Sequence, residues 1–137
     1  SYYVTPPGAE MSEAEFIRAV IEEADCLLHL DVNNVYVNSR NFSLDPLAFI
    51  DALPLERTCY LHMAGHYLEP DGILVDTHGA EVIGPVWQLL EAVYARVGPK
   101  PTCLERDFNM PPLAELAVEV AQIAVLQKRT HDLRRRA

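Results

Sequence analysis

The sequence predicts an α/β fold in which strands and helices alternate and the strands run parallel. Two observations carry this. Short apolar runs alternate with stretches of helical period along the 137 residues, and each apolar run opens into a polar loop. Such repeats build parallel sheets covered by helices. At this level a doubly wound sheet and a (β/α)8 barrel both remain open. Four strand–helix units fit the length, about half of the roughly 250 residues a barrel needs. The chain opens on Ser-Tyr-Tyr-Val without a start methionine, so it is expected to be the C-terminal half of a longer protein.

Tyr2-Tyr3-Val4 reads as the end of a first strand. Ser12-Glu13-Ala14-Glu15 is a capping box, and Phe16, Ile17, Val20, Ile21 and Ala24 recur at helical spacing, which predicts a helix over 12–25. Cys26-Leu27-Leu28-His29-Leu30 reads as a strand that enters the loop Asp31-Val32-Asn33-Asn34. Asp45-Pro46 has the signature of an N-cap and first turn, with the helix running to Leu53. Thr58 to Met63 is a strand leading into Ala64-Gly65-His66. Val82, Ile83, Val86, Trp87, Leu90, Val93, Tyr94 and Val97 form one stripe of a helix over 80–97 that stops at Gly98-Pro99. Residues 101–105 form another strand. A last helix follows Pro111-Pro112 with Leu113, Leu116, Ala117, Val120, Ala121 and Ala124 on its expected buried side.

Composition narrows the function classes. Half the residues are apolar and 23% are charged, with a net charge of −9, so a packed core rather than disorder is expected. Five of the eleven bases lie in the last ten residues. The body therefore sets six bases against nineteen acids, a net of −13, which repels phosphate backbones and argues against nucleic-acid binding. No apolar run approaches the ~20 residues of a membrane span. Cys26, Cys59 and Cys103 lack CxxC spacing, so they are read as small buried hydrophobes, and a reducing, cytoplasmic setting is expected.

The polar residues cluster by topology. Asp31 and Asn33 follow the second strand, His62 and His66 the third, and Glu105 and Asp107 the fourth, while Asp76 and His78 stand in the long loop between. All lie beyond the C-terminal ends of strands, where parallel α/β folds build their sites. Carboxylate and imidazole together suit iron, manganese or zinc rather than calcium. The two-residue spacing in Asp76-Thr77-His78 lets both side chains fall on one side of an extended segment. Each piece also has an ordinary reading. Asp-x-Asn can be a turn or cap, the histidine pair can be packing, Asp76-Thr77-His78-Gly79 can cap a helix, and Glu105-Arg106-Asp107 can be a surface ion-pair cluster. Recurrence at one rim is what favours a metal site. His29, mid-strand and expected buried, and His131, near the end, stand outside it.

The strings LHLDVNNVYVNSRNF, YLHMAGH, VDTHGAEV and LERDFN resemble, in order and spacing, the hallmark segments of the multinuclear non-haem iron-dependent oxidative enzymes (MNIO). The resemblance implies a xylose-isomerase-like TIM barrel, of which residues 1–127 would be the C-terminal half and 128–137 a basic tail. It implies two or three non-haem irons held by Asp31, Asn33, His62, Asp76, His78 and Glu105, with Asp76, His78 and Glu105 catalytic. His66 and Asp107 would contact substrate or metal. It further implies dioxygen as co-substrate and oxidative modification of cysteines in a ribosomally made precursor peptide, which a partner protein can present. Family members also draw two histidines and a glutamate from the N-terminal half of the barrel. This chain lacks them, so it is expected to pair with that half or another chain, and to be inactive alone. Two alternatives stay open: an isomerase- or endonuclease-type metalloenzyme on the same barrel, and a non-catalytic interaction module.

Overall fold

A three-stranded parallel sheet organises residues 1–136, which the computed structural model describes. The order of elements is α1 (Glu13–Ala24), β1 (Leu28–Asp31), α2 (Val32–Phe42), α3 (Pro46–Ala52), β2 (Thr58–Ala64), β3 (Tyr67–Leu68), β4 (Leu74–Val75), α4 (Gly84–Val97), β5 (Thr102–Glu105) and α5 (Leu113–Arg134). The sheet runs β1-β2-β5, and β3 and β4 form a separate antiparallel hairpin. Register sets Asp31 beside His62 and Ala64 beside Glu105. The C-terminal ends of all three strands therefore meet at one rim, as in part of a TIM-barrel-like fold.

Helices cover one face of this sheet. Leu28, Leu30, Leu61 and Met63 point into a core shared with Val35 of α2 and Val86, Leu90, Val93 and Tyr94 of α4. The Tyr94 hydroxyl meets Thr102 Oγ1 at 2.5 Å, and the Trp87 indole N–H donates to Val82 O at 2.9 Å, so α4 is fixed against β5 and against its own entry loop.

The expected capping box is present. Ser12 Oγ accepts the Glu15 N–H, the Glu15 carboxylate accepts the Ser12 N–H, and Asp25 closes α1 in the left-handed region. Other expectations need correction. Tyr2-Tyr3-Val4 forms no strand; the Tyr2 ring stacks on Phe42 at 4.6 Å instead. The sheet thus has three strands, not four. Asp31-Val32-Asn33-Asn34 is not a loop, because Asp31 accepts the Asn34 N–H at 2.8 Å and caps α2. α4 starts at Gly84 rather than 80, since Pro85 fits only a first turn. His29 is exposed on the uncovered face of the sheet, and Cys26 is exposed outside any strand.

On α5 the inward residues are Leu116, Glu119, Ile123, Leu126 and Thr130. Leu113 (80% exposed), Ala117, Val120, Ala121 and Ala124 face outward. Apolar residues occur around much of this helix, so period alone does not choose the buried side. The ion pair of Glu119 with Arg106 and the bond from Gln127 to Lys100 O fix its rotation. Residues 128–134, with Lys128, Arg129 and Arg134, form its last turns. Among the described residues, no helix is long and apolar enough to cross a membrane.

Candidate metal centre

Side chains alternate along a strand, so those beside the core residues of β1, β2 and β5 point to the opposite face. There β1 ends in Asp31 and β2 presents His62. His62 Nδ1 lies 2.7 Å from Asp31 Oδ2, and its Nε2 lies 2.5 Å from Glu105 Oε2 at the end of β5. One imidazole thus bridges two carboxylates from two neighbouring strands. The hydrogen bond to Asp31 raises the His62 pKa above its ordinary value against the opposing effect of burial, and the Asp31 charge and Glu105 add to the rise. Burial pushes the Asp31 carboxyl up, but the bonds from His62 and the Asn34 N–H outweigh it and leave it lowered.

The second group comes from the segment after the hairpin. His78 Nδ1 lies 3.2 Å from Glu105 Oε2 and 3.3 Å from Asp107 Oδ2. The segment is not extended here: His78 has φ 52°, a left-handed conformation costly for a side chain with a Cβ. The turn nevertheless brings His78 Nε2 within 3.1 Å of Asp76 Oδ1. Gly65 makes the close approach possible, because a Cβ there would sit 2.0 Å from Ala80 O. The Asp107 N–H donates to His78 O at 2.9 Å, which ties the turn to the end of β5.

Asp76 is the hub of a third group. It accepts from Asn33 Nδ2 at 2.7 Å, from Asn34 Nδ2 at 2.8 Å and from the Ser1 hydroxyl at 2.8 Å, while its own N–H donates to the Tyr3 hydroxyl at 3.0 Å. With Asn33 Nδ2 donating, its Oδ1 faces His66 Nδ1 at 2.8 Å, so Nδ1 carries the proton. Burial lowers the His66 pKa, partly offset by Asp76, and its ring stacks on Tyr36. The Asn33 amide thus links Asp76 to His66. Asn34 and Tyr3 were missed in the sequence. Asn34 stands in the same DVNN string, whereas nothing local marks Tyr3.

Ligand atoms of Asp31, His62 and His78 lie within 4.8 Å of one another, as do those of His78, Glu105 and Asp107. His78 belongs to both sets, and the rings of His62 and His78 are 5.4 Å apart. His78 Nε2 is buried and makes no hydrogen bond, although Asp76 Oδ1 lies 3.1 Å away. A buried imidazole nitrogen that faces a carboxylate without a hydrogen bond, with nitrogen and oxygen donors from three segments around it, suits a cation of the iron, manganese or zinc type. The residues present fit a metal.

The family model described as RiPP precursor modification enzyme MbnB/TglH/ChrH matches residues 1–128. The chain belongs to this family. The resemblance to MNIO enzymes is thereby borne out. A UPF0276 protein of Nitrosospira multiformis is 58% identical over 132 residues, which cover 96% of this chain and 47% of the relative. A UPF0276 protein of Shewanella amazonensis is 55% identical over 137 residues, covering 100% and 49%. One from Neisseria meningitidis serogroup B is 54% identical over 139 residues, covering 100% and 50%. The chain thus spans about half the length of these curated relatives.

Proposed function

We propose that the complete protein is an iron-dependent oxidative enzyme acting on cysteine residues of a ribosomally made precursor peptide. This chain would supply the C-terminal half of a TIM barrel and about half of the metal donors. The observation that carries the reading is the convergence of Asp31, His62, Asp76, His78, Glu105 and Asp107 at one rim, in a chain of a precursor-modifying family. Bound iron, with dioxygen, would supply the redox chemistry.

The residues divide the work. His62 takes part in metal binding only after losing the Nε2 proton it shares with Glu105, so a cation must displace that proton. Asp31 then keeps Nδ1–H oriented and Nε2 free, the pairing that fixes many metal-bound histidines. His78 and Glu105 link the two donor groups, Asp76 closes the rim, and Asn33 holds Asp76 in position. Uncompensated, these carboxylates would repel one another; a cation relieves that repulsion. A substrate thiolate is a soft ligand suited to iron, and His66, which faces Asn33 beside the rim, would contact substrate or metal. A partner protein presenting the peptide belongs to this proposal.

The test is to produce the complete protein with iron, dioxygen and a cysteine-containing peptide encoded nearby, and to follow the peptide mass with an anaerobic control. An oxygen-dependent mass change that is lost in Asp76→Ala, His78→Ala and Glu105→Ala is expected. An unchanged peptide, with zinc or magnesium as the bound metal, would favour the isomerase-type alternative.

A further inference from the structure

We infer that Arg106 and Glu119 are positioning residues of the metal centre: a buried ion pair behind the rim that holds the His78 segment in register with Glu105. The inference rests on the metal reading above.

Glu105 and Arg106 are neighbours whose side chains leave in opposite directions. Glu105 turns to the rim, whereas the Arg106 side chain is only 7% exposed and reaches back to α5. Its Nη2 donates to Glu119 Oε2 at 2.8 Å, and the Glu119 side chain is 15% exposed. The other oxygen, Glu119 Oε1, accepts the Val82 N–H at 2.8 Å. One carboxylate thus ties the end of β5 to the segment that carries His78, four residues before Val82. Two further bonds lie beside it: Asp107 N–H to His78 O at 2.9 Å, and Asn109 Nδ2 to Gly79 O at 3.0 Å. Together with the Gly65 contact under Ala80, they lock three donor-bearing segments to one another.

The pair is poorly suited to a purely stabilising role. Desolvating two charges costs about as much as their attraction returns, and apolar replacement of such a pair is often neutral or favourable. Here the cost is higher, because Arg106 Nε is buried with no partner. What the pair gives that apolar side chains cannot is direction: one Glu119 oxygen is held by Arg106 Nη2 in a charge-assisted bond, and the second is thereby aimed at one backbone N–H. His78 sits in a strained left-handed turn, so the restraint falls where the backbone would otherwise relax.

The double variant Arg106→Met with Glu119→Leu, made in the complete protein, separates position from stability. Thermal unfolding without metal should change little or move upward. Mn(II) alone, titrated and followed by the electron paramagnetic resonance of the free ion, should bind about 10- to 100-fold more weakly, the range for residues that orient metal ligands. Glu119→Gln keeps an acceptor for Val82 and loses the charge; it should weaken Mn(II) several-fold, and it decides the matter if the double variant does not fold. Affinity within twofold of the parent in the variant that folds overturns the inference alone. A parent protein that binds no Mn(II) overturns the metal reading and this inference together.

Discussion

On β2, Leu61 and Met63 point into the helix layer and are fully buried, whereas Tyr60 and His62 point to the other face. There Tyr60 is 37% exposed, and His62 spends both ring nitrogens on carboxylates. The same seven-residue strand thus serves an apolar core on one side and an ionic rim on the other. The core side is packed against α2 and α4. The rim side has unsatisfied capacity: a His78 nitrogen without a hydrogen bond and, among the described residues, a sheet face on which His29 stays exposed. Stability and chemistry are therefore separable by face, and substitutions on each should be read by different measurements.

The largest effect on stability should come from the core face. Leu61→Ala should cost about 2–5 kcal/mol in denaturant unfolding, through lost burial and a residual cavity. The metal selectivity of whatever remains folded should be unchanged; an altered metal preference would break the separation of faces. Gly65→Ala tests the point where the faces are joined. Its Cβ has no room under Ala80, so overpacking of roughly 1–3 kcal/mol should come with weakened metal binding, because the His78 turn is pushed outward. Loss of stability with metal affinity intact would show that the turn tolerates the shift.

The Asp31–His62 pair sharpens the comparison through pH. Asp31 is lowered on folding, so its contribution is present above the ordinary carboxylate pKa of about 3.9 and is lost as pH falls through the lowered value. His62 is raised, so its contribution is present below the ordinary value of about 6.5 and is lost as pH rises through the raised value. Without metal, the pair should add most stability between about pH 4 and 6.5, measurable as the difference between parent and Asp31→Asn in urea unfolding. Metal affinity should follow the opposite trend and rise with pH as His62 loses its proton. The smallest change is Ser12→Ala, far from the rim. Loss of the capping box should cost about 1 kcal/mol with no effect on metal binding.

What could be read in the sequence depended on how local each signal was. The α1 capping box and the Asp45-Pro46 start of α3 satisfy their own backbone groups within a few residues, and both are present as expected. α2 was hidden because Asn33, Asn34, Asn38, Ser39 and Asn41 are weak helix formers. Its support is tertiary, from buried Asn33, Asn38 and Ser39 and from Asn41, which exchanges two hydrogen bonds with the Leu74 backbone. The β3–β4 hairpin is marked in the sequence only by the turn residues Pro70-Asp71-Gly72, because its two-residue strands are too short to show a period. At the rim, residue types and strand ends indicated the converging donors. Spacing alone could not tell that His62 enters the cluster while His66, four residues on, turns to Asn33, because that choice depends on α2 lying alongside.

Metal analysis of the complete protein, purified after growth with iron, tests most directly whether the rim is a redox metal site. More than one iron per chain is expected in the parent, with most of it lost in His78→Ala, since His78 alone belongs to both donor groups. With metal removed from both, the variant should keep the parent's unfolding midpoint. Zinc or magnesium as the only metal in the parent, or iron retained in full by His78→Ala, would contradict the assignment.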